Sequence, residues 1–273
     1  MRIGMRGHDF GRLCPQELAH RIAEAGFCAT QLAFTKAFPP PAEQYMTPEA
    51  LADIRAAFEA QNIALPIMGC YVSASDRDPQ RLADAKAAFA RCLRASVLLG
   101  AHCVGTETTH FTFPEEEREE AYQRLLGFVK SAVVVAESCG ARVGIEPVSY
   151  HTLNTPELTR RLLDDVGSEH LGVVLDLANL VTRETASPQA QRELLDRALS
   201  LFGEKILVLH VKDGVFDSEG KWENRPLGQG VMDWASLLPV LRANNDGLCA
   251  LREDVWPGMA REECAILHRW IGE

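Results

Sequence analysis

Along the chain, short apolar runs alternate with longer segments whose apolar positions recur every three or four residues. The short runs are RIGM (2–5), ATQLAF (29–34), ALPIMGCYV (64–72), HCVGTE (102–107), RVGIE (142–146), LGVVLD (171–176), ILVLHV (206–211) and LCALRE (248–253). Several are almost continuously apolar, the pattern of parallel strands covered on both faces. Between them lie segments with helix-start signals. Thr47-Pro48-Glu49 sets a cap, a first-turn proline and an acid ahead of Leu51, Ile54 and Phe58 on one face. Pro114 and Glu115–Glu117 open a long helix at its positive dipole end, Leu125, Phe128, Val129, Ala132 and Ala136 form its apolar stripe, and Gly140 closes it. Thr155-Pro156-Glu157 repeats the start signal.

Eight such runs, alternating with helices, predict one (β/α)8 barrel, a single domain over residues 1–273. An open doubly wound sheet is the alternative, but no GxGxxG follows the first run and no GxxxxGK[ST] occurs anywhere. FPPPAEQYMTP (38–48) reads as a rigid loop, not a boundary.

Composition narrows the function classes. With 47% hydrophobic and 24% charged residues, the 273-residue chain has the makings of a substantial core. A formal net charge of −10 opposes nucleic acid and anionic membranes as partners. MRIGMRGHDF lacks the apolar core of a signal peptide, and no run reaches the ~18 apolar residues of a membrane span. Cysteines at 14, 28, 70, 92, 103, 139, 249 and 264 form no CxxC pair, so reduced thiols in a cytoplasmic protein are expected.

In a barrel of this kind, chemistry gathers at the carboxyl ends of the strands. The runs VGIE, GVVLD, ILVLH and CALRE end in Glu146, Asp176, His210 and Glu253. One polar strand end is ordinary; four on consecutive strands form a constellation. Converging carboxylates repel one another, and a shared divalent cation relieves that repulsion. Three carboxylates and an imidazole favour Mn²⁺ or Mg²⁺, with Co²⁺ or Zn²⁺ as alternatives.

IEPVSYHTLNTPE (145–157), VLDLANL (174–180), LHVKD (209–213) and PLGQGVMDW (226–234) resemble the xylose isomerase-like TIM barrels, which include sugar (phosphate) isomerases and epimerases, ketose 3-epimerases and inosose dehydratases. The resemblance spans essentially the whole chain and is densest from residue 142 onward. It implies that Glu146, Asp176, His210 and Glu253 are metal ligands and that Glu146 and Glu253 are the catalytic acid/base pair on opposite faces of the substrate. The chemistry is consistent with this: removing a proton next to a carbonyl needs a stabilised enediolate, a base within reach, and for epimerisation one group per face. Two departures stand out. Asn179 replaces a histidine that touches substrate in the epimerases, and the arginine that follows His210 in ketose epimerases is missing.

Other residues rank second. Lys212, two after His210, shares its face if the strand continues and is placed to meet Asp176 or a substrate oxygen. His8, Glu107, His151 and Asn179 are further substrate-binding candidates around the mouth. Asp213 reads as loop structure. Gly228 and Gly230 admit either an anion at their amides or an ordinary turn ahead of a helix capped by Asp233. Trp222 and Trp256 are candidates for a sugar-binding wall or for local packing. The function expected is a divalent-metal-dependent isomerase or epimerase of a small sugar or sugar phosphate, acting through an enediolate. The alternatives are an inosose dehydratase-like lyase, an endonuclease of the same superfamily and a non-catalytic sugar-binding barrel. A homodimer is expected, with Phe111, Phe113 and Trp256 as candidate apolar contacts.

Overall fold

Period-two alternation in the strands decides which side chains enter the barrel. The computed structural model describes residues 1–256 and 258–272. Its strands are β1 (Arg2–Arg6), β2 (Ala29–Leu32), β3 (Ala64–Gly69), β4 (Cys103–Glu107), β5 (Val143–Glu146), β6 (Leu171–Asp176), β7 (Ile206–Val211), β8 (Asp213–Phe216), β9 (Trp222–Arg225) and β10 (Cys249–Arg252). The first seven and β10 close a barrel of parallel pairs, with β1 joining β10 and β2. The (β/α)8 reading therefore holds, and each of the eight apolar runs supplies one barrel strand.

Outward-facing Ile3, Met5, Val143, Ile145, Val173, Leu175, Leu209 and Val211 pack with the helices in the main core. Inward-facing Ala29, Ile67, Cys103, Val174, Val208, Cys249 and Leu251 form a separate cluster inside the barrel. That interior is tight. A Cβ on Gly105 would lie 2.2 Å from Ile67 Cδ1, and one on Gly144 would lie 2.9 Å from Val174 Cγ2. Two residues further along the same strands, the inward positions are Glu107 and Glu146; the same step leads from Val174 to Asp176, Val208 to His210 and Leu251 to Glu253. The polar layer is thus the next layer above an apolar plug.

The helix signals are realised locally. Thr47 Oγ1 accepts from the Ala50 amide at 3.2 Å, and Thr155 Oγ1 from the Leu158 amide at 3.1 Å. Glu115–Glu117 form a short 3₁₀ turn, so the long helix runs over Arg118–Cys139 and ends at left-handed Gly140. Asp233 departs from expectation. It precedes the helix Trp234–Asn244, but its side chain makes no capping bond, and its amide donates to Gln191 Oε1 at 2.9 Å.

An antiparallel hairpin, β8 with β9, is inserted after β7. The buried Asp213 carboxylate holds its base by accepting from the amides of Gly214, Gly228, Gly230 and Met232 at 2.9–3.1 Å. Asp213, read from the sequence as loop structure, is instead the first residue of β8, and the anion at Gly228 and Gly230 is the chain's own. A buried ion pair anchors the other side. Arg252 donates to both Glu263 oxygens, at 3.0 and 2.9 Å, and to the carbonyls of Arg225 and Asp254, at 3.4 and 3.2 Å. Glu263 also accepts from the Leu227 amide at 3.0 Å.

Candidate metal and active site

Neighbouring strands bring the strand-end groups to one level. Glu107 sits beside Glu146 across β4–β5, and Asp176 beside His210 across β6–β7. Glu146, Asp176 and His210 are buried, and one ligand atom from each lies within 4.8 Å of the others, a grouping able to hold a metal ion. Glu253 stands beside these three. His210 Nδ1 is 3.3 Å from Glu146 Oε2 and 3.4 Å from Glu253 Oε1, so the two glutamates meet at one imidazole nitrogen.

The turn after β6 organises this cluster. Asp176 accepts the Asn179 amide at 3.2 Å and so starts the single helical turn Leu177–Leu180. That turn brings the Asn179 side chain back over β5, where Nδ2 donates to Glu146 Oε1 at 2.6 Å. Lys212 completes the chain: its ammonium donates to Asn179 Oδ1 at 2.6 Å and lies 3.0 Å from Asp176 Oδ2. Trp234 holds the Lys212 backbone through an indole N–H bond to its carbonyl at 2.8 Å. Asn179 thus positions a glutamate.

The electrostatics follow from burial and crowding. Burial disfavours the imidazolium of His210, but the Glu253 and Glu146 carboxylates outweigh it and push the pKa up to about 9. Burial raises Asp176 to about 6, with Lys212 opposing and Glu146 and Glu253 adding to the rise. Glu253 goes the other way: despite burial, His210, Lys212 and Arg6 hold it down at about 2. Burial, then Glu146, raises Glu107 to about 7. Lys212 is desolvated, yet Asp176 and the glutamates keep it firmly charged.

A divalent cation fits this donor set. Nε2 of buried His210 has no hydrogen-bond partner and Nδ1 meets only the two glutamates, without hydrogen-bond geometry; an unsatisfied buried group costs roughly 1–3 kcal/mol. Ligation would satisfy one nitrogen and neutralise carboxylates that otherwise repel one another.

The remaining sequence candidates lie around the cluster. His151 Nε2 is 3.9 Å from Glu107 Oε2, and its Nδ1 has no hydrogen-bond partner. Burial, then His110, lowers its pKa to about 4, leaving a neutral imidazole. Burial, then Arg6 and Lys36, lowers His8 to about 4 as well. Trp222 lines the cavity described next, whereas Trp256 lines a separate hollow with Phe10 and His20.

Sequence reading missed Arg6, Gln31 and Tyr71. Arg6 Nη1 is 3.9 Å from Glu253 Oε2, and the guanidinium also pairs with Asp9 at 2.8 Å and with Asp254. Buried Gln31 donates to the Tyr71 hydroxyl. The alternation that exposes the acids also points here: Arg6 follows inward Gly4 by two, and Gln31 follows inward Ala29 by two.

A cavity of about 780 Å³ opens from Asn179 and Lys212 toward the loops after β5 and β6 and toward the hairpin. Another hollow, of about 640 Å³, lies at the opposite end of the barrel, lined by Arg2, Ala64, Leu207 and Cys249, away from the acids. Among the described residues, no helix is long and apolar enough to cross a membrane.

Residues 19–270 match the sequence model of the family described as xylose isomerase-like TIM barrel. No curated protein matches at the level of sequence. Solved structures share the fold at low identity. The 3-keto-D-glucoside 4-epimerase YcjR from E. coli is 18% identical, with a TM-score of 0.75 over 98% of this chain and 99% of its own. D-psicose 3-epimerase from Clostridium cellulolyticum H10, solved with D-tagatose, is 17% identical, with a TM-score of 0.75 over 99% and 98%. A xylose isomerase-like TIM barrel protein from Mycobacterium smegmatis, in complex with magnesium, is 16% identical, with a TM-score of 0.70 over 99% and 96%.

Proposed function

The chain belongs to the xylose isomerase-like TIM barrel family, and from that premise we propose that it is a divalent-metal-dependent isomerase or epimerase of a keto sugar or sugar phosphate, working by proton transfer next to the carbonyl. The observation that carries this reading is the approach of Glu146 and Glu253 to the same nitrogen of His210, at 3.3 and 3.4 Å. Two carboxylates from different strands reach one buried point, so both stand beside a substrate held there, and epimerisation needs one proton-transfer group per face. Two solved structures of the fold are, by name, sugar epimerases, and a third, a xylose isomerase-like TIM barrel protein, is in complex with magnesium.

The roles follow from the contacts. Glu253, held ionised by Lys212 and Arg6, is the proton acceptor. Glu146, with one oxygen fixed by Asn179, is the group on the opposite face. Lys212 presents a permanent positive charge at the inner end of the cavity, where it stabilises negative charge developing on a substrate oxygen. Glu146, Asp176, His210 and Glu253 would hold Mn²⁺ or Mg²⁺, a Lewis acid that makes the C–H next to a carbonyl easier to ionise.

Calorimetric titration of chelator-treated protein with Mn²⁺, Mg²⁺, Co²⁺ and Zn²⁺ tests the foundation. One site per chain is expected, with affinity reduced about tenfold or more in His210→Ala. A wild-type protein that takes up none of the four ions would remove the proposal.

A further inference from the structure

The cavity above Asn179 and Lys212 is large for the reacting part of one sugar. Its volume of about 780 Å³ falls in the upper part of the roughly 300–1,000 Å³ range of pockets that bury drug-sized ligands. Its inner end is fixed to the reaction centre, because Asn179 and Lys212 contact Glu146 and Asp176.

Its outer walls set aromatic rings from separate segments among polar side chains such as Arg183, Glu184 and Lys221. Tyr150, in the loop after β5, lines it, and so do Phe216 of β8 and Trp222 of β9, whose rings meet edge to face at 5.2 Å. Tyr150 remains 56% exposed. The Tyr150 ring is thus open to a ligand at the cavity mouth, with its apolar body and polar hydroxyl both available.

The hairpin wall is built in advance. Asp213 grips its base through four amides. The Trp222 indole N–H is committed to Asn224 Oδ1 at 2.8 Å, which sets the plane of the ring. Arg183, in the loop after β6, donates to the Ser218 carbonyl at 3.1 Å and ties that loop to the hairpin tip. A wall already ordered lowers the entropic cost of binding.

We propose that this cavity is a subsite for a second sugar ring, so that the substrate is a keto sugar glycosidically joined to another sugar. This rests on the keto-sugar reading above and narrows its substrate class. The reacting ring enters first, toward Asn179 and Lys212, and the second ring lies against Tyr150 and Trp222. The aromatic faces take its apolar C–H surface, while its hydroxyls face solvent at the open mouth.

Calorimetry on the Mn²⁺-supplemented full chain tests the subsite, with D-fructose, D-tagatose and D-psicose set against the keto disaccharides turanose, isomaltulose and lactulose. At least one disaccharide is expected to bind about tenfold or more tighter than any of the single sugars. Trp222→Ala and Tyr150→Ala are each expected to weaken disaccharide binding by several-fold more than they weaken monosaccharide binding. Trp222→Leu, which keeps an apolar side chain in the hairpin, serves if the alanine variant unfolds. Equal binding of one-ring and two-ring sugars, absence of binding by any of them, or variants that weaken both classes alike would overturn the subsite. A disaccharide preference without exchange of any sugar C–H proton would leave the subsite standing and remove the isomerase reading instead.

Discussion

Glu253→Gln is expected to lose about a hundredfold or more of any substrate C–H exchange, because the amide keeps the shape of the side chain but cannot accept a proton. The expectation follows from the position of Glu253. One oxygen lies 3.4 Å from His210 Nδ1, and the other lies 3.9 Å from Arg6 and 4.0 Å from Lys212. Lys212 and Arg6 keep the carboxylate ionised even though burial opposes it, and a cation bound at His210 would stand in for the imidazolium charge there. Since Glu253 is also proposed as a ligand, bound metal must be measured on the same sample. Loss of exchange with metal retained assigns proton transfer to this residue. Retention of both exchange and metal would contradict its role as base. Glu146→Gln is the companion case, and Asn179 gives it a different character. The Asn179 amide already donates to Glu146 Oε1 at 2.6 Å, so the variant must turn its own amide N–H away from that donor.

Glu263→Ala is expected to cost about 3–5 kcal/mol of folding stability, the range for breaking a buried ion pair and leaving one charge behind. Arg252 and Glu263 are both 0% exposed, and the pair is bidentate. Removing the carboxylate strands the guanidinium and leaves the Leu227 amide without its acceptor. The damage should reach the hairpin, because Arg252 also binds the Arg225 carbonyl at the end of β9. Urea denaturation gives the difference directly, and a loss below about 1 kcal/mol would contradict the expectation. Replacing both partners, as Arg252→Met with Glu263→Leu, should lose less than the single change, because no uncompensated charge remains.

These two sites differ in how far the sequence foretold them. The strand ends were legible because a parallel barrel strand is apolar on both faces until it leaves the sheet. The first ionisable group after VGI, GVVL or ILVL therefore marks the carboxyl end; in CALRE the buried Arg252 comes one residue before Glu253. Facing direction was legible too, since a step of two from Val174, Val208 or Leu251 lands on Asp176, His210 or Glu253. Lys212 followed by the same rule, and its contact with Asp176 is present at 3.0 Å.

The hairpin was not legible. DGVF and WENR are short and only partly apolar, and what holds them lies far along the chain: Asp213 with the amides of residues 228–232, and Arg252 with the Arg225 carbonyl. A motif with glycines at 228 and 230 reads first as an ordinary turn and also admits a cradle for an external anion. Only the fold reveals that an internal carboxylate occupies it. Gln31 was hidden in a different way, as a single polar residue inside ATQLAF, where an apolar run masks the inward position that pairs it with Tyr71. Arg252 lay within a strand run, and its partner, eleven residues on, comes from the helix Ala260–Trp270.

The most direct measurement of the central claim is deuterium incorporation. Keto sugars, their phosphates and keto disaccharides are incubated with the protein in D₂O, with saturating Mn²⁺ or with chelator, and followed by NMR. The proposed chemistry requires deuterium at a carbon next to the carbonyl of at least one sugar in the metal-supplemented sample, and its disappearance with chelator. No incorporation into any of them, or incorporation that chelator leaves unchanged, would contradict metal-dependent proton transfer between Glu146 and Glu253.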